Sequence, residues 1–424
     1  MYEHLIICEG RQQEKRVDIE CALMFTMILQ EKTTEKSDGK GVLSMKYRTM
    51  GKLNIKASAF GLGCMRFNGA ASGDSVIDEQ KAVSLIRKAI DGGVNYIDTA
   101  YVYLEKTSEI VLGKALRDGY RDRVTIATKM PIHAVHDRAS MEALLDEELK
   151  KLQTDHIDFY LMHGINREGW EKFKAIGAPE FFDEMKKAGK IRYKCFSFHG
   201  PYEEFEYIIR ESDWDMVQIQ YNFMDVNNQA GTKGLELAGS MGIPVVIMEG
   251  LLGGRLANAP DNVQALYDAF PVKRSAVEWA FRWLCNHPEV GVVLSGCNEA
   301  EQIDENLRIF DTVDTGIMSP EELKLMDDAR EAYLSRTKIG CTGCRYCMPC
   351  PNGVDIPGIF SVWNNVSLYD INPKTDWGYG RIKNQDHGAD KCVGCGACEA
   401  ACPQHLSIIE NLQAAWSDLA KAER

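Results

Sequence analysis

The chain has 424 residues, of which 45% are hydrophobic and 26% are charged, and its formal net charge at pH 7 is −13. This composition is typical of a folded globular protein, and the length favours a barrel-sized domain with an additional module. The acidic balance argues against nucleic acid as a partner, because a nucleic-acid-binding surface is basic. No apolar run reaches the roughly 18 residues that span a bilayer, so we expect no membrane partner.

Residues 1–45 lack the periodicity of a folded domain, and we interpret them as an N-terminal extension without an assigned function. They are either an appended arm or the result of a start codon placed too far upstream. The first predicted element is a small hairpin, in which Tyr47-Arg-Thr and Asn54-Ile-Lys flank the turn Met50-Gly-Lys. We expect the first domain to cover residues 46–334.

Apolar segments of strand length alternate with segments of helical periodicity from residue 59 to residue 310. In Asp78–Gly92 the apolar residues recur at spacings of three and four, which indicates one buried helix face. The predicted strands are Ala59–Gly63, Val94–Ile97, Val124–Lys129, Ile157–Met162, Ile191–Ser197, Met216–Ile219, Pro244–Met248 and Gly291–Ser295. The predicted crossover helices are Asp78–Gly92, Ser108–Leu116, Ser140–Leu152, Pro179–Ala188, Tyr202–Ile209, Thr232–Ser240, Arg274–Cys285 and Ala300–Phe310.

Eight strand–helix units predict an α/β fold, namely a (β/α)8 TIM barrel with parallel strands. An open, doubly wound sheet is the alternative, and it requires a Gly-x-Gly-x-x-Gly turn after the first strand. The chain has Gly61-Leu-Gly63-Cys-Met-Arg66 at this place, which lacks the third glycine. The sequence therefore favours the barrel.

A helix is predicted at Pro320–Tyr333, and residues 335–424 are predicted to form a second, α-helical domain of the ferredoxin type. Its two cysteine runs are Cys341-x2-Cys344-x2-Cys347-x2-Cys350-Pro351 and Cys392-x2-Cys395-x2-Cys398-x3-Cys402-Pro403, which hold eight of the chain's 14 cysteines. Such runs are typical of bacterial ferredoxins, in which the fourth cysteine binds the other cluster. The pattern predicts two [4Fe–4S] clusters, one bound by Cys341, Cys344, Cys347 and Cys402 and one by Cys350, Cys392, Cys395 and Cys398.

Structural zinc and disulfides are the alternatives for these cysteines. Zinc sites use Cys-x2-Cys pairs with a long gap between them, whereas disulfides belong to oxidising compartments. The first run ends with two intervening residues where the ferredoxin pattern has three, so Cys350 is the least regular ligand, and one cluster is the alternative to two. Thiolate-bound iron suits a reducing environment, and we expect a cytoplasmic protein.

Polar residues follow three neighbouring strands, at the end of a barrel where active sites lie. Asp98 and Tyr103 follow the second strand, Lys129 ends the third and His163 follows the fourth. We expect Lys129 to stabilise the phenolate and lower the pKa of Tyr103, with Asp98 keeping Lys129 charged and His163 orienting a substrate oxygen. Each residue alone is as easily a surface ion pair or a structural histidine, but their convergence favours catalysis.

These residues resemble the aldo-keto reductase family. Asp98-Thr-Ala-x-x-Tyr103, Lys129 and Leu161-Met-His163 are similar to its tetrad, and the likeness extends through Ser197, Gln218 and Gln302-x3-Asn306. The resemblance implies that NAD(P)H binds without a Rossmann fold and that hydride passes to or from a carbonyl or alcohol, with Tyr103 as general acid or base. It also implies that Ser197 and Gln218 hold the nicotinamide carboxamide, that Met248 packs against the ring, and that Gln302 and Asn306 lie near the adenosine.

The chain departs from the family pattern at both ends of the expected dinucleotide site. Phe198 stands where the family usually has Asn, and Met248 stands where an aromatic ring is common. At the adenosine end, Gly296 and Gln302 replace the Lys and Arg of NADPH-preferring members, although Arg308 is near in sequence. Because a 2′-phosphate is held best by a cation, we expect no strong preference for NADPH over NADH.

The cysteine module resembles the ferredoxin extension of a bacterial and archaeal branch of the same family, whose phrase Cys-x-x-Cys-x-Tyr-Cys-Met-Pro-Cys-Pro stands here as Cys341 to Pro351. We hypothesise an oxidoreductase for a small carbonyl or alcohol whose clusters serve electron transfer, which also implies a redox partner protein. The alternative is a nucleotide-binding redox sensor or regulatory subunit with structural clusters. Tyr103 and Lys129 argue against it, because a sensor needs no proton donor.

Overall fold

The computed structural model describes residues 45–67 and 77–422. The predicted N-terminal extension, apart from Met45, lies outside the described residues. Within the described part of the chain, no helix combines the length and the apolar character needed to cross a membrane. The described residues belong to one compact unit.

Eight parallel strands close into a barrel in which each strand pairs with the next, and the last pairs with the first. The predicted (β/α)8 barrel is thus confirmed, and all eight predicted strands are present with ends within three residues of those expected. The strands are β1 (Tyr47–Thr49) and β2 (Lys56–Ser58), which form the hairpin, and the barrel strands β3 (Phe60–Gly63), β4 (Tyr96–Asp98), β5 (Thr125–Pro131), β6 (Ile157–Ile165), β7 (Ile191–Phe198), β8 (Met216–Gln220), β9 (Val245–Met248) and β10 (Val290–Ser295).

The crossover helices surround the barrel, and all eight that the sequence predicts are present. The helices up to residue 334 are α1 (Glu79–Asp91), α2 (Ser108–Ala115), α3 (Arg138–Leu152), α4 (Arg167–Ala175), α5 (Ala178–Lys187), α6 (Tyr202–Glu211), α7 (Gly231–Ser240), α8 (Asp261–Ala269), α9 (Ala276–Cys285), α10 (Ala300–Phe310) and α11 (Pro320–Leu334).

Two of these helices, α4 and α8, were not predicted. Asn166 caps α4 by accepting a hydrogen bond from the Gly169 amide, and Trp170 and Phe173 bury its short apolar face. In α8, Val263 and Tyr267 are buried four residues apart. Two buried side chains are too short a pattern to distinguish a helix from a loop, which explains both errors.

The hairpin closes the N-terminal end of the barrel. β1 and β2 pair antiparallel, from Tyr47 with Ser58 to Thr49 with Lys56, so the predicted hairpin is present with its second strand two residues later than expected. Met50, at the turn, is fully buried among the residues that fill the barrel interior. A Cβ atom added to Gly291 would lie 2.6 Å from the Met50 sulfur, which shows how closely the two pack. The active site of such a barrel is therefore expected at the opposite, C-terminal end of the strands.

The C-terminal module is helical, as predicted. Its helices are α12 (Ile356–Tyr369), α13 (Trp377–Asn384), α14 (Ala397–Ala400) and α15 (Ile408–Ala422). Buried Ile359, Phe360 and Leu412 contribute to one small core with several of the cysteines at its edge. Since this core is thin, we expect bound clusters to supply part of the module's folding free energy.

A second apolar cluster joins the module to the barrel. Tyr369 of α12 packs against Tyr333 of α11, with ring centroids 5.7 Å apart. Arg336 donates from Nε to the Ser367 carbonyl at 2.6 Å, and Arg255, after β9, forms an ion pair with buried Asp376 at 2.9 Å. The module is therefore packed on the barrel by both apolar and charged contacts.

Within the described barrel, helices α2 and α3 approach each other closely because α2 has a glycine, Gly113, at the contact. A Cβ atom at Gly113 would overlap the carbonyl oxygen of Lys151 and lie 2.9 Å from the carbonyl carbon of Leu152. We expect Gly113→Ala to lower the free energy of unfolding by about 2 kcal/mol, because backbone atoms cannot move aside as a side chain can. Urea denaturation followed by circular dichroism measures the effect.

The matched control is Gly380→Ala in α13, where nothing lies within 4 Å of the added carbon. Alanine is favoured over glycine in an open helix by about 1 kcal/mol, so this variant should be as stable as the parent or more stable. A Gly113→Ala protein that gains stability in the same way would contradict the close approach of α2 and α3.

Candidate active site

Two neighbouring strands, β4 and β5, bring a charged pair and a phenol together at the C-terminal end of the barrel. The Nζ atom of Lys129, on β5, donates to Asp98 Oδ1 at 2.7 Å and to the Thr99 carbonyl oxygen at 2.7 Å. The same nitrogen lies 3.2 Å from the hydroxyl of Tyr103. Lys129 and Asp98 are almost fully buried, whereas Tyr103 is half-buried. The structure therefore places together three of the four residues that the sequence singled out.

The fourth residue, His163, lies beside the phenol. Its ring meets that of Tyr103 edge-on, with centroids 6.0 Å apart and an interplanar angle of 79°. Burial, with the charges of Lys129, His199 and His133, lowers the pKa of His163 to about 3. The imidazole is therefore neutral near pH 7 and can donate one hydrogen bond from a ring nitrogen.

Burial decides the protonation state of the site. It lowers the pKa of Lys129, but Asp98 and Tyr103 outweigh it, so the net pKa is raised and the ammonium stays charged. Burial raises the pKa of Tyr103 by more than Lys129 lowers it. Lys129 thus lowers the pKa of Tyr103 as expected, but the net pKa is above the ordinary value, because the cost of desolvating a phenolate is larger than the gain from the ammonium. Tyr103 carries its proton at neutral pH.

Ser197 and Gln218 lie on adjacent strands and pair in register. The Ser197 hydroxyl oxygen accepts a hydrogen bond from the Gly164 amide at 2.7 Å, and Gln218 donates from Nε2 to Asp98 Oδ2 at 3.3 Å. The Oε1 atom of Gln218 is buried and has no hydrogen-bond partner among the described residues. An unsatisfied buried acceptor is costly, and the amide group of a nicotinamide would supply the missing donor. These two residues therefore fit the carboxamide role that the resemblance implies.

A cavity of about 320 Å³ extends along the rim beside this site. Its walls come from the end of β10, from the loop 249–254 after β9, and from Arg66 after β3. Neither Arg66 nor this loop was predicted to take part, although the three glycines in Glu249-Gly-Leu-Leu-Gly-Gly254 directly after a strand were a usable signal. Arg66 forms no ion pair or hydrogen bond with another described residue.

The other predicted nucleotide contacts have partners of their own. Gln302 lines the cavity, but its Oε1 accepts from the amides of Asn298 and Glu299 and caps α10. Asn306 is buried behind the wall and donates from Nδ2 to Ser295 Oγ and to the Cys297 sulfur, both at 3.1 Å. Both side chains therefore help to form the cavity wall. Fewer of their polar atoms are left to contact a nucleotide than the resemblance implied.

Two further residues from the sequence analysis lie at the edge of this region. Met248 is half-buried at the end of β9, where it pairs with Gln220. Arg308, considered as a base near the adenosine, forms an ion pair with Glu278 at 2.8 Å. The positive charge of Arg308 is therefore paired with Glu278, and Arg66 is the cationic side chain in the described cavity wall.

The module contains two cavities lined by cysteines. One is lined by Cys341, Cys344, Cys347 and Cys402, and the other, of about 140 Å³, by Cys350, Cys392, Cys395 and Cys398 with Cys347 at its edge. The thiols form no disulfides. They surround the two cavities, and among the described residues no group of three or more His, Cys, Asp or Glu is placed to hold a single metal ion. The second cavity is larger than one ion, and four soft donors around such a space fit an iron–sulfur cluster, whereas the first cavity, of about 20 Å³, is narrower but has an equivalent set of four thiols.

Comparisons with known proteins agree with both halves of this description. The model of the Aldo/keto reductase family matches residues 59–330, and that of the 4Fe-4S dicluster domain matches residues 340–407. A curated relative, "Uncharacterized oxidoreductase YqkF" of Bacillus subtilis (strain 168), is 25% identical over 312 residues, which are 66% of this chain and 95% of the relative.

Solved structures are similar over the same part of the chain. Aldo-keto reductase AKR11C1 from Bacillus halodurans, in its holo form, is 25% identical with a TM-score of 0.56, and the match covers 68% of this chain and 96% of that one. An aldo/keto reductase from Klebsiella pneumoniae in complex with NADP and acetate is 24% identical with a TM-score of 0.54, and the match covers 67% and 95%. The second likeness concerns the fold alone.

The low pKa of His163 gives a direct test of the site. We expect the imidazole to stay neutral from about pH 8 to about pH 5, because protonation begins only near its pKa of about 3. Nitrogen-15 NMR of histidine-labelled protein measures this, and His163→Asn identifies the signal by its loss. A His163 signal that titrates between pH 6 and 7 would show that the ring is open to solvent.

Proposed function

Because this chain belongs to the aldo/keto reductase family and carries a 4Fe-4S dicluster domain, we propose that it transfers a hydride between NAD(P)H and a small carbonyl or alcohol substrate. The observation that carries the proposal is the contact of Lys129 Nζ with both Asp98 and Tyr103 at the barrel mouth. We place the reductase domain at residues 46–334 and the cluster domain at residues 335–424.

Tyr103 is the proposed general acid in the direction of reduction. Its raised pKa keeps the proton on the phenol until the substrate oxygen becomes basic enough to take it. The phenolate that remains is stabilised by the ammonium of Lys129, 3.2 Å from the hydroxyl oxygen and 4.8 Å from the ring centroid. Asp98 keeps Lys129 charged, and in the reverse direction the phenolate accepts the proton of an alcohol.

His163 is the proposed orienting group. Its neutral ring can donate to the substrate oxygen without adding a second positive charge to the site. The dinucleotide, when bound, supplies the hydride. Ser197 and Gln218 hold its carboxamide in this proposal, and the cavity with Arg66 and the loop 249–254 takes its phosphates, since a cation and backbone amides suit phosphate oxygens.

The two cysteine-lined cavities are proposed to hold one [4Fe–4S] cluster each. The ligands are Cys341, Cys344, Cys347 and Cys402 for the first cluster and Cys350, Cys392, Cys395 and Cys398 for the second. Such clusters, when bound, pass electrons one at a time. The half-exposed and exposed positions of most of these cysteines leave room for a redox partner protein to approach.

Replacing the phenol tests the proton transfer. We expect Tyr103→Phe to lower kcat/KM for carbonyl reduction by at least about 100-fold, because general acid catalysis contributes at least that much. The dissociation constant of the dinucleotide should stay within about threefold, since the ring is retained. Tyr101→Phe is the control, because its hydroxyl contacts Glu147 and Lys106 outside the tetrad. A Tyr103→Phe protein as active as the Tyr101→Phe protein would contradict the assignment.

Iron analysis tests the number of clusters. The anaerobically purified parent should contain about eight iron atoms and eight sulfides per chain. Cys344→Ser and Cys395→Ser should each reduce the iron content, through loss of a different cluster, and their electron paramagnetic resonance spectra should differ. Cys285→Ser, which alters a buried thiol of the barrel, is the control. A parent with four iron atoms, or with zinc, would contradict two clusters.

A further inference from the structure

The glycine-rich loop after β9 has an unusual backbone conformation. Glu249 and Leu252 have φ of +60° and +49°, values that residues other than glycine rarely adopt, and Gly253 and Gly254 follow with φ of +66° and +94°. Conformations of this kind persist only where the surroundings fix them. The loop has backbone hydrogen bonds of its own, such as that from the Leu252 amide to the Glu249 carbonyl at 2.9 Å, and buried Asn222 of the barrel donates from Nδ2 to the same carbonyl at 3.1 Å.

The cluster module reaches the end of this loop through Asp376, at the start of α13. Its Oδ2 atom accepts from Arg255 Nη2 at 2.9 Å, directly after the loop, and from Asn365 Nδ2 at 3.1 Å. Its Oδ1 atom accepts from the Gly378 amide at 2.9 Å and thereby caps α13. The side chain of Asp376 is only 3% exposed, so the pair is shielded from water and is stronger than a surface ion pair.

The same loop contributes to the walls of two neighbouring cavities. Arg66, Glu249, Gly253 and Gly254 line both the cavity along the barrel rim and a second, wider one of about 660 Å³. The second cavity lies between barrel and module, and its other wall includes Asn365, Tyr369 and Trp377 from the module. One side of the loop thus faces the proposed dinucleotide site, while its continuation at Arg255 is tied to the module.

We propose that Asp376 is a positioning residue for the dinucleotide: through Arg255 it fixes the loop 249–254, so that the cluster module sets the affinity of the barrel for NAD(P)H. This inference rests on the proposed function. In this proposal the module affects the binding of the dinucleotide and not the chemical step. Since coupling between two sites is reciprocal, bound dinucleotide should in turn stabilise the module.

The test uses the full-length, cluster-loaded protein under anaerobic conditions, with NADH and NADPH as ligands. Asp376→Asn keeps the oxygen that caps α13 but places an amide nitrogen against the Arg255 guanidinium. We expect the dissociation constant of the dinucleotide, measured by fluorescence titration, to rise about tenfold. The KM of the dinucleotide should rise to a similar degree, while kcat at saturation stays within about twofold, because the chemistry at Tyr103 is not touched.

Asp355→Asn is the matched control. Asp355 also caps a helix of the module, by accepting from the Gly358 amide at 3.2 Å, and pairs with Arg381 at 3.3 Å, but neither contact involves the barrel. This variant should bind the dinucleotide as the parent does. Weakening of equal size in Asp355→Asn and Asp376→Asn would mean that general damage to the module is responsible and would overturn the inference.

Arg255→Met tests the same pair from the barrel side, where no cluster cysteine is near in sequence. If the two residues act as one unit, the double variant should bind no more weakly than either single variant, whereas independent action, such as direct binding of a phosphate by Arg255, would make the two effects additive. Additive effects, or parent-like binding by Arg255→Met, would overturn the inference. Iron content measured beside each titration identifies any variant that has lost its clusters.

Iron release to a chelator supplies a measurement that does not depend on turnover. In the parent, saturating dinucleotide should slow iron release several-fold, and in Arg255→Met this protection should disappear. Equal protection in both proteins would contradict the coupling. A parent that binds neither NADH nor NADPH would contradict the proposed function itself, whereas normal binding by the parent and by both variants would contradict only the role of Asp376.

Discussion

The buried ammonium of Lys129 is the interaction on which the candidate active site depends. All three of its N–H groups are used, by Asp98 Oδ1, the Thr99 carbonyl and the Tyr103 hydroxyl. Removing one partner of a buried ion pair typically costs about 3–5 kcal/mol, so these contacts constrain the strands as well as the chemistry. Asp98 pairs with Ala127, two residues before Lys129, and the alternation of side chains along β5 then directs the ammonium to the carboxylate.

The same burial explains why the site holds its proton on Tyr103. A dry pocket makes the phenolate costly and the imidazole of His163 neutral, while the ion pair with Asp98 keeps Lys129 charged. One positive group and two neutral donors therefore face a substrate oxygen. This arrangement suits an oxygen that gains negative charge during reduction, and the stabilisation grows as that charge develops.

Much of this was predictable because it depends on patterns along the chain. Strand and helix periodicity gave the barrel, and the rule that strand ends carry function singled out Asp98, Lys129 and His163 before their distances were known. The net pKa of Tyr103 was not predictable, since it depends on how completely neighbouring elements exclude water. Gln302 and Asn306 bond to partners near them in sequence, but the residue types alone do not show that these bonds occupy their side chains. The cavity wall formed by Arg66 depends on contacts between segments far apart in sequence.

The position of the module matters because the chemistry expected of the barrel and that expected of the clusters differ in the number of electrons transferred. A hydride carries two electrons, whereas a [4Fe–4S] cluster passes one at a time. The module contacts the barrel beside the loop 249–254, through Arg255, and among the described residues none of its ion pairs with the barrel involves the tetrad. In the proposed mechanism, a contact at that place alters how a dinucleotide is held and leaves the proton transfer at Tyr103 unchanged. Coupling through affinity needs no exchange between one-electron and two-electron steps, which makes it the simpler physical reason for a single chain to carry both domains.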